Sequence, residues 1–463
     1  MAFSGIFFLF YFLPFILIIY YLTPKQHRNL VLFVGSLFFY AWGEPIYVIL
    51  LALSAVFHFF CGKKLEQSTE EKQKKRIFWS AIFANLAIFV FLKYTNSLLV
   101  LVNTISELHV PMLPVALPLG FSFYTFHAIS YIADIYRGKI KAQQRFVCFG
   151  AYLAFFPKLL AGPIVPYHEM ESQLERRRET IEGFSAGIIC FVIGLAKKVL
   201  LADRLELLWQ TTRAVPFSQL STLSAWLGIV AFGFQVYFDV SGYSDMAIGL
   251  GRMFGFKLEK NFDYPYLATS VTNFWHKWNI SLGNWFCTYV YSPLKEKTEK
   301  PACIYLNILL VWCIVGVWHG ATLSFLMWGI YFALIFILEK SFLASFLERL
   351  PKWVGALYTF LFVLLGWVLF ATDNFAETIS YFRAMLGLSG AGISAPDFFY
   401  NLYSNGLLLI AACVAVLPYP ARLGRQFMKR SPSYVTISVA IGLLLSVAYL
   451  MNGPIMPFIY FQF

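Results

Sequence analysis

Long apolar runs separated by short polar segments are the feature that most constrains how this chain can fold. A membrane-spanning helix needs about 20 consecutive, mostly apolar residues, and runs of about that length recur along the whole sequence. Of the 463 residues, 59% are hydrophobic and only 13% are charged. Soluble domains average about 45–50% apolar and about 25% charged residues. The sequence therefore predicts an all-α, polytopic integral membrane protein with about 11 transmembrane helices plus re-entrant elements.

The apolar runs and their interruptions define the predicted spans. Asn29–Cys61 is too long for one span and is broken at Trp42–Pro45, so we predict two short spans there. Phe146–Pro166 is interrupted by prolines and glycine and has basic residues on both sides, which favours a re-entrant element over a crossing. The other predicted membrane elements are Phe3–Leu22, Ile77–Val102, Pro114–Tyr136, Gly183–Leu201, Leu223–Val240, Ile304–Trp318, Leu323–Leu338, Trp353–Phe370, Leu407–Leu417 and Tyr434–Met451. No segment between them is long enough to bury a core of its own, so residues 1–463 are predicted to form a single membrane domain.

The basic residues predict which loops face the cytoplasm. The net charge is +12, but Lys and Arg occur in short clusters between apolar runs, as the positive-inside rule expects. Topology therefore explains the charge better than a nucleic-acid partner. The segment Lys63–Arg76 carries six Lys or Arg and is predicted to be cytoplasmic, whereas Ser106–Pro114 is predicted to lie outside. Lys197 and Lys198, which lie at the end of the predicted span Gly183–Leu201, fit this assignment of sides poorly.

Neither a metal site nor a bound cofactor is indicated by the sequence. The seven cysteines are scattered, and no pair has the spacing of a zinc site or of a disulfide framework. The histidines at 27, 58, 109, 127 and 168 each occur singly. Glycine-rich nucleotide loops and a nucleophilic serine elbow are also absent from the sequence.

One stretch, Tyr237–Ala321, concentrates ionisable and amide side chains within sequence that is otherwise apolar. It contains Asp239, Asp245, Arg252, Asn279 and His319. Charged groups at membrane depth are costly, so they mark a functional site by default.

His319 and Asn279 are the predicted catalytic residues of this stretch. His319 ends an apolar run and precedes Gly320-Ala321, and histidine is the usual general base near neutral pH. Asn279 can donate a hydrogen bond to a developing oxyanion. Each has a structural alternative: His319 could bond a carbonyl at a helix end, and Asn279 could cap a helix or bond a neighbouring helix.

Other polar and aromatic residues of the stretch are predicted to line a substrate tunnel or to support the site. His276 and Lys277 could instead be interfacial anchors beside tryptophans, and the acids could serve structural bonding near a cavity. The full supporting set is Asp239, Ser241, Tyr243, Asp245, Arg252, His276, Lys277, Trp278, Ser281 and Trp318.

The order of several motifs resembles the membrane-bound O-acyltransferase family, most closely its bacterial alginate O-acetylase branch. The most specific motifs are Tyr237–Gly255, Asn261–Tyr266, Phe274–Leu282 and Trp318–Ala321; supporting motifs are Phe39–Pro45, Leu117–Gly138, Phe156–Pro163 and Phe458–Phe463. The resemblance implies a ring of membrane helices around a central tunnel. It also implies that His319 matches the family's invariant histidine. Asn279 matches its second polar position, where the bacterial branch usually has histidine.

The resemblance further implies an O-acetyltransferase of the inner (plasma) membrane. It would take acetyl from a cytoplasmic donor, expected to be acetyl-CoA, and pass it to hydroxyls of an extracellular or cell-wall polysaccharide through an exported acetyltransferase- or esterase-like partner. Membrane lipid is the expected surrounding. Two alternatives stay open: D-alanyl transfer to teichoic acid from a carrier protein, and a small-anion transporter without enzymatic activity.

Overall fold

A computed structural model describes residues 1–106, 109–296, 300–453 and 456–459, and every regular element in these ranges is helical. The predicted outer loop Ser106–Pro114 lies partly outside the described residues, and so does the closing motif Phe458–Phe463. Within these described ranges, eight helices are long and apolar enough to cross a membrane, or nine if one bent pair is counted as a span. The all-α polytopic class is therefore confirmed, whereas the predicted count of about 11 is not.

The described chain forms two compact units. The first comprises Met1–Phe191 with Met246–Glu259, and the second comprises Val192–Asp245 with Lys260–Phe463. The single membrane domain stays a prediction.

The first unit is built on a short apolar helix and several longer ones. Its helices are α1 (Leu13–Leu22, extended at its start by the π-helical turns of Phe8–Phe12), α2 (Arg28–Gly43), α3 (Tyr47–Gln67), α4 (Glu71–Ser106), α5 (Phe121–Tyr136), α6 (Phe146–Leu153), α7 (Phe156–Leu159), α8 (Tyr167–Arg176) and the start of α9 (Ile181–Ala196). The helix α3 packs against α4, α5 and α6, and α2 packs against α6 and α7.

The predicted breaks in this unit coincide with breaks in the helices. α2 ends at Gly43 and α3 starts at Tyr47, so the long run Asn29–Cys61 does form two helices. The run Phe146–Pro166 is divided into the short helices α6 and α7, followed by irregular backbone. Proline within the run explains the division, because it removes a backbone donor and clashes with the preceding turn.

The second unit contains the remaining helices. They are α10 (Asp203–Arg213), α11 (Thr222–Met253, whose last turns belong to the first unit), α12 (Val271–Lys277), α13 (Ile280–Phe286), α14 (Ser292–Lys295), α15 (Pro301–His319), α16 (Leu323–Leu338), α17 (Ala344–Leu347), α18 (Lys352–Ala371), α19 (Phe375–Met385), α20 (Pro396–Ser404), α21 (Gly406–Ala415), α22 (Tyr419–Arg430) and α23 (Pro432–Asn452).

Several helices differ in length from the predicted spans. The runs Gly183–Leu201 and Leu223–Val240 belong to longer helical stretches, Ile181–Arg213 and Thr222–Met253. Each predicted run already contained charged residues near its end, Lys197 and Lys198 in the first and Asp239 in the second, and these charges are paired within the structure. The run Leu407–Leu417 was predicted as one span, whereas α21 is short and meets α20 at a bend of 60°.

The hairpin of α15 and α16 is the part of this fold that carries His319. The two helices pack closely along their length, and α16 also packs against α18. A Cβ atom on Gly316 would collide with the backbone oxygen of Phe325, and one on Gly329 would collide with the backbone oxygen of Trp312. Glycine at these two positions therefore permits the close approach that holds the end of α15 against α16.

Candidate active site

A cavity of about 620 Å³ lies within the second unit, a volume in the range of small-molecule binding sites. Its walls come from α11, α12, α13, α15, α16 and α18, and include Ile459 of the C-terminal segment. Both predicted catalytic residues, Asn279 and His319, line it. The sequence placed them 40 residues apart, and the fold brings them to one cavity.

His319 is the last residue of α15 and is held among aromatic rings. Its imidazole centroid lies 5.2 Å from the ring of Trp328 and 5.1 Å from that of Phe370, both in edge-to-face arrangement. The ring of the preceding Trp318 lies at 4.6 Å. Only 8% of His319 is exposed. An imidazole in such surroundings is shielded from water, and electrostatic interactions there are stronger than in water.

Asn279 occupies an unusual backbone conformation between two short helices. Its φ of 43° and ψ of 56° are left-handed, and asparagine is among the few residues besides glycine that adopt this region readily. This turn ends α12 and starts α13 in a new direction. Asn279 is 5% exposed, so the strained turn places its carboxamide inside the protein at the cavity wall.

Asn261 fixes the Asn279 turn, a role that the sequence analysis missed. Its Nδ2 donates to Oδ1 of Asn279 (3.0 Å), and its Oδ1 accepts from the backbone N–H of Ser281 (2.9 Å). Its backbone oxygen accepts from the N–H of Ile280 at 2.9 Å. The motif Asn261–Tyr266 was a signal that could have revealed it, since a buried asparagine in a loop needs several hydrogen-bond partners.

The aromatic residues of α12 form a packed wall beside the cavity. The ring of Trp275 lies 5.5 Å from that of Trp328 and 5.1 Å from that of Trp312. The ring of Trp278 stacks on Phe274 at 5.3 Å. These contacts make the cavity wall largely apolar. Trp278, which follows the last residue of α12, is itself a lining residue, and its predicted role at a tunnel stays a prediction.

Of the other predicted supporting residues near Asn279 and His319, one lines the cavity and three do not. His276 lines the cavity, is exposed, and its Nδ1 lies 2.7 Å from the backbone oxygen of Thr272. Lys277, Ser281 and Trp318 are not among the lining residues. Each of them follows or precedes a lining residue in the chain, and the ring of Trp318 lies beside that of His319.

Asp239 lies in a buried ion cluster instead of at the cavity wall. Its Oδ1 is 2.6 Å from Nζ of Lys198, and the same Nζ is 2.8 Å from Oδ1 of Asp203. The backbone N–H of Ile459 donates to Oδ2 of Asp239 at 2.6 Å. Lys198 is 1% exposed. We call Lys198, Asp203 and Asp239 the Lys198 cluster; it holds the C-terminal segment that contributes Ile459 to the cavity.

Asp245 pairs with the neighbouring lysine. Its Oδ2 lies 2.6 Å from Nζ of Lys197, so both lysines that fitted the predicted topology poorly face acids of α11. Tyr243 is buried with its ring 4.9 Å from that of Phe458, and Ser241 is buried on the same helix. None of these α11 residues lines the cavity.

Arg252 lies in the last turn of α11 and belongs to the first unit. It is half-buried and is not a lining residue of the cavity.

Within the described ranges no group of three His, Cys, Asp or Glu is arranged to hold a metal ion. The polar residues that line the cavity include His276, Asn279, Asn284, His319, Glu339 and Lys340, with Ser270 and Thr272. Among them, the buried imidazole of His319 and the buried carboxamide of Asn279 are suited to proton transfer and to hydrogen bonding of an oxyanion.

Comparison with known proteins identifies the family. The family model "MBOAT, membrane-bound O-acyltransferase family" matches residues 37–372. The chain is 35% identical over 390 residues to the "probable alginate O-acetylase" of Pseudomonas aeruginosa, covering 83% of this chain and 75% of the relative. It is 32% identical over 446 residues to the peptidoglycan O-acetyltransferase of Helicobacter pylori, covering 87% and 84%.

A more distant relative is the teichoic acid D-alanyltransferase of Bacillus subtilis, 25% identical over 277 residues, which covers 56% of this chain and 69% of the relative. The matched family region contains both lining residues Asn279 and His319. The family match and the apolar helices together show that this chain belongs to the membrane-bound O-acyltransferase family and is a multi-pass membrane acyltransferase.

Proposed function

We propose that the protein is an O-acetyltransferase of the inner (plasma) membrane that moves acetyl from cytoplasmic acetyl-CoA to hydroxyls of an extracellular or cell-wall polysaccharide. The observation that carries the proposal is the presence of His319 and Asn279 in the wall of one cavity. An acyl transfer needs a base for the attacking hydroxyl and a donor for the oxyanion, and these two side chains supply both.

The proposed reaction is direct and needs no bound metal. The hydroxyl oxygen of the acceptor, or of an intermediate carrier, attacks the thioester carbonyl, and His319 takes the hydroxyl proton. The N–H₂ group of Asn279 donates to the oxyanion, because its Oδ1 already accepts from Asn261. The C–S bond then breaks, and the proton passes from His319 to the departing thiolate.

The apolar surroundings favour transfer over hydrolysis. The rings of Trp328 and Phe370 pack edge-to-face against His319 and make the surroundings of the imidazole apolar on that side. Excluding water protects a thioester from hydrolysis and strengthens a hydrogen bond to the oxyanion.

The names of the relatives support a polysaccharide acceptor, and we include an exported acetyltransferase- or esterase-like partner in the proposal because the acceptor would lie outside the membrane. The alginate and peptidoglycan O-acetylating relatives match more of this chain, at higher identity, than the D-alanyltransferase does. This difference supports acetyl over D-alanyl as the group transferred. Family membership supports an enzyme over a small-anion transporter.

The proposal also states where parts of the chain lie relative to the membrane. The loop Lys63–Arg76 would be cytoplasmic, and His319 would lie within the membrane thickness at the neck of a tunnel, so that donor and acceptor approach from opposite faces. In a cysteine-free background, Gln67→Cys should resist an impermeant thiol reagent added to intact cells. Labelling of that cysteine from outside would contradict the assignment.

The direct test of the reaction is polymer acetylation in cells that carry His319→Ala. Loss of a general base typically lowers the rate by about 10²–10⁴-fold, so acetyl content should fall to background while the protein still inserts in the membrane. The exposed His27 offers a matched control, and His27→Ala should leave acetylation unchanged. Normal acetylation in His319→Ala would refute the proposed role.

A further inference from the structure

Glu339 makes a contact to α12 that neither the sequence motifs nor the family match singles out. It is the first residue after α16, lines the cavity and is only 1% exposed. Its Oε1 accepts a hydrogen bond from the backbone N–H of Val271, and its Oε2 accepts one from that of Thr272, both at 2.7 Å. A buried carboxylate is costly unless its oxygens are satisfied, and here each oxygen has a backbone donor.

The segment that Glu339 holds is too short to be stable alone. α12 has seven residues, and isolated helices shorter than about 12–15 residues are marginal in water. Its start is fixed by the two hydrogen bonds to Glu339 and by the Oγ of Ser270, which accepts from the N–H of Asn273 at 3.0 Å. Its far end leads through Trp278 to Asn279.

The two ends of this segment are therefore held by different parts of the second unit. Asn261 fixes the Asn279 turn, and Glu339 fixes the first turn of α12 from the end of α16. The position of α12 sets where the side chains of Trp275 and His276 meet the cavity. A change at Glu339 should thus be transmitted along one short helix to Asn279.

We propose that Glu339 is a positioning residue for acyl transfer: its carboxylate fixes α12 so that Asn279 is held at the cavity wall in a reactive orientation. This inference rests on the proposed function for the step that Asn279 serves. Both carboxylate oxygens accept backbone hydrogen bonds from the start of α12, so the role that we propose for Glu339 acts through α12.

Hydrogen exchange of the purified full-length protein tests the physical part of this inference. In Glu339→Gln the carboxamide keeps the size of the side chain but retains only one acceptor oxygen. One buried N–H then loses its partner, so exchange of the α12 amides should speed up by about tenfold or more. Glu206→Gln is the matched control, since Glu206 is also buried in the second unit but on α10, and it should leave α12 exchange unchanged.

A double-mutant cycle tests whether the effect passes through Asn279. Glu339→Gln should lower kcat for acetyl transfer by roughly tenfold with little change in KM, because misplacing a reacting group by about 1 Å can cost up to about 10²-fold. In an Asn279→Ala background the same substitution should have almost no further effect on kcat. A purely structural defect would lower kcat by the same factor in both backgrounds.

The outcomes separate cleanly. If Glu339→Gln leaves α12 exchange unchanged, or if its effect on kcat is the same with and without Asn279, the inference is overturned. If Glu339→Gln does not fold, Ser270→Ala loosens the same end of α12 and should give the same exchange and coupling results. Failure of the proposed function would look different, because His319→Ala would then keep its acetyl transfer whatever α12 exchange shows.

Discussion

The second unit contains two regions with buried polar side chains, and the surroundings of the ionisable groups differ between them. At the cavity, His319 has aromatic rings as its near neighbours, and it faces a volume of about 620 Å³. In the Lys198 cluster, each oppositely charged group lies within 2.8 Å of its partner. Both regions come from apolar sequence, so membrane depth alone does not distinguish a reactive group from a structural one.

The Lys198 cluster and the cavity differ in how much open volume lies beside their polar groups. In the Lys198 cluster the ammonium and the carboxylates satisfy one another and the C-terminal backbone. The pocket beside Asp203 has a volume of only about 20 Å³, which is too small for a substrate. At the cavity, the polar groups meet open volume between apolar walls. The cavity is therefore the candidate for chemistry, and the Lys198 cluster is the candidate for stability.

Removing the ammonium of Lys198 should give the largest effect on stability. Lys198→Met leaves the buried Asp239 without its counter-ion, and breaking a buried ion pair typically costs about 3–5 kcal/mol. The thermal midpoint of the purified protein should fall by several degrees. The double variant Lys198→Met/Asp239→Leu removes both charges of that pair and leaves only Asp203 without its partner, so it should recover part of the loss. A single variant with an unchanged midpoint would contradict the structural role.

Truncating Asn279 should affect catalysis more than stability. Removal of an oxyanion donor costs up to about 10²–10³-fold in kcat, so we expect Asn279→Ala to lose about tenfold to 10²-fold, less than His319→Ala. Asn279→His should keep some activity, because imidazole can also donate a hydrogen bond. Acetyl transfer assays on the purified variants check this. A fully active Asn279→Ala together with an inactive Asn279→His would contradict a hydrogen-bonding role.

The ion pair of Arg28 and Glu179 in the first unit is expected to contribute less to stability than the Lys198 cluster does. Burial alone would raise the pKa of the Glu179 carboxyl, but hydrogen bonds from Tyr20 and Arg28 and the charge of Arg28 bring the pKa below its usual value. A lowered pKa in the folded state stabilises the fold above the unfolded pKa, about 4.3, and this contribution is lost as the pH falls through the folded pKa. Glu179→Gln should therefore be less stable by about 1 kcal/mol or less at pH 7.

The pH dependence is the check on that pair. The difference in thermal midpoint between wild type and Glu179→Gln should disappear as the pH falls below about 4. A difference that is constant with pH would show that the charge of Glu179 is not the source of its contribution.

The positions of many helices could be predicted from the lengths of the apolar runs, but the hydrogen bonds that shape the candidate site could not. α15, α16, α18 and α23 lie where runs of the right length predict them. The helical stretches Ile181–Arg213 and Thr222–Met253 are longer than the predicted spans. Their charges are paired between the two stretches, and such pairing cannot be read from one segment. His319 and Asn279 were predicted from residue type and motif, but the roles of Asn261 and Glu339 depend on backbone hydrogen bonds that only the folded chain shows.

The most direct test of the division between cavity and cluster compares His319→Ala with Asp239→Asn in the same two assays, acetyl transfer and thermal unfolding of the purified protein. The account predicts that His319→Ala loses about 10²–10⁴-fold in transfer rate with a midpoint near that of wild type. It predicts that Asp239→Asn lowers the midpoint clearly, because the carboxylate that pairs with Lys198 and accepts from Ile459 is lost. Transfer that survives in His319→Ala, or an Asp239→Asn protein that is as stable as wild type yet inactive, would contradict the account.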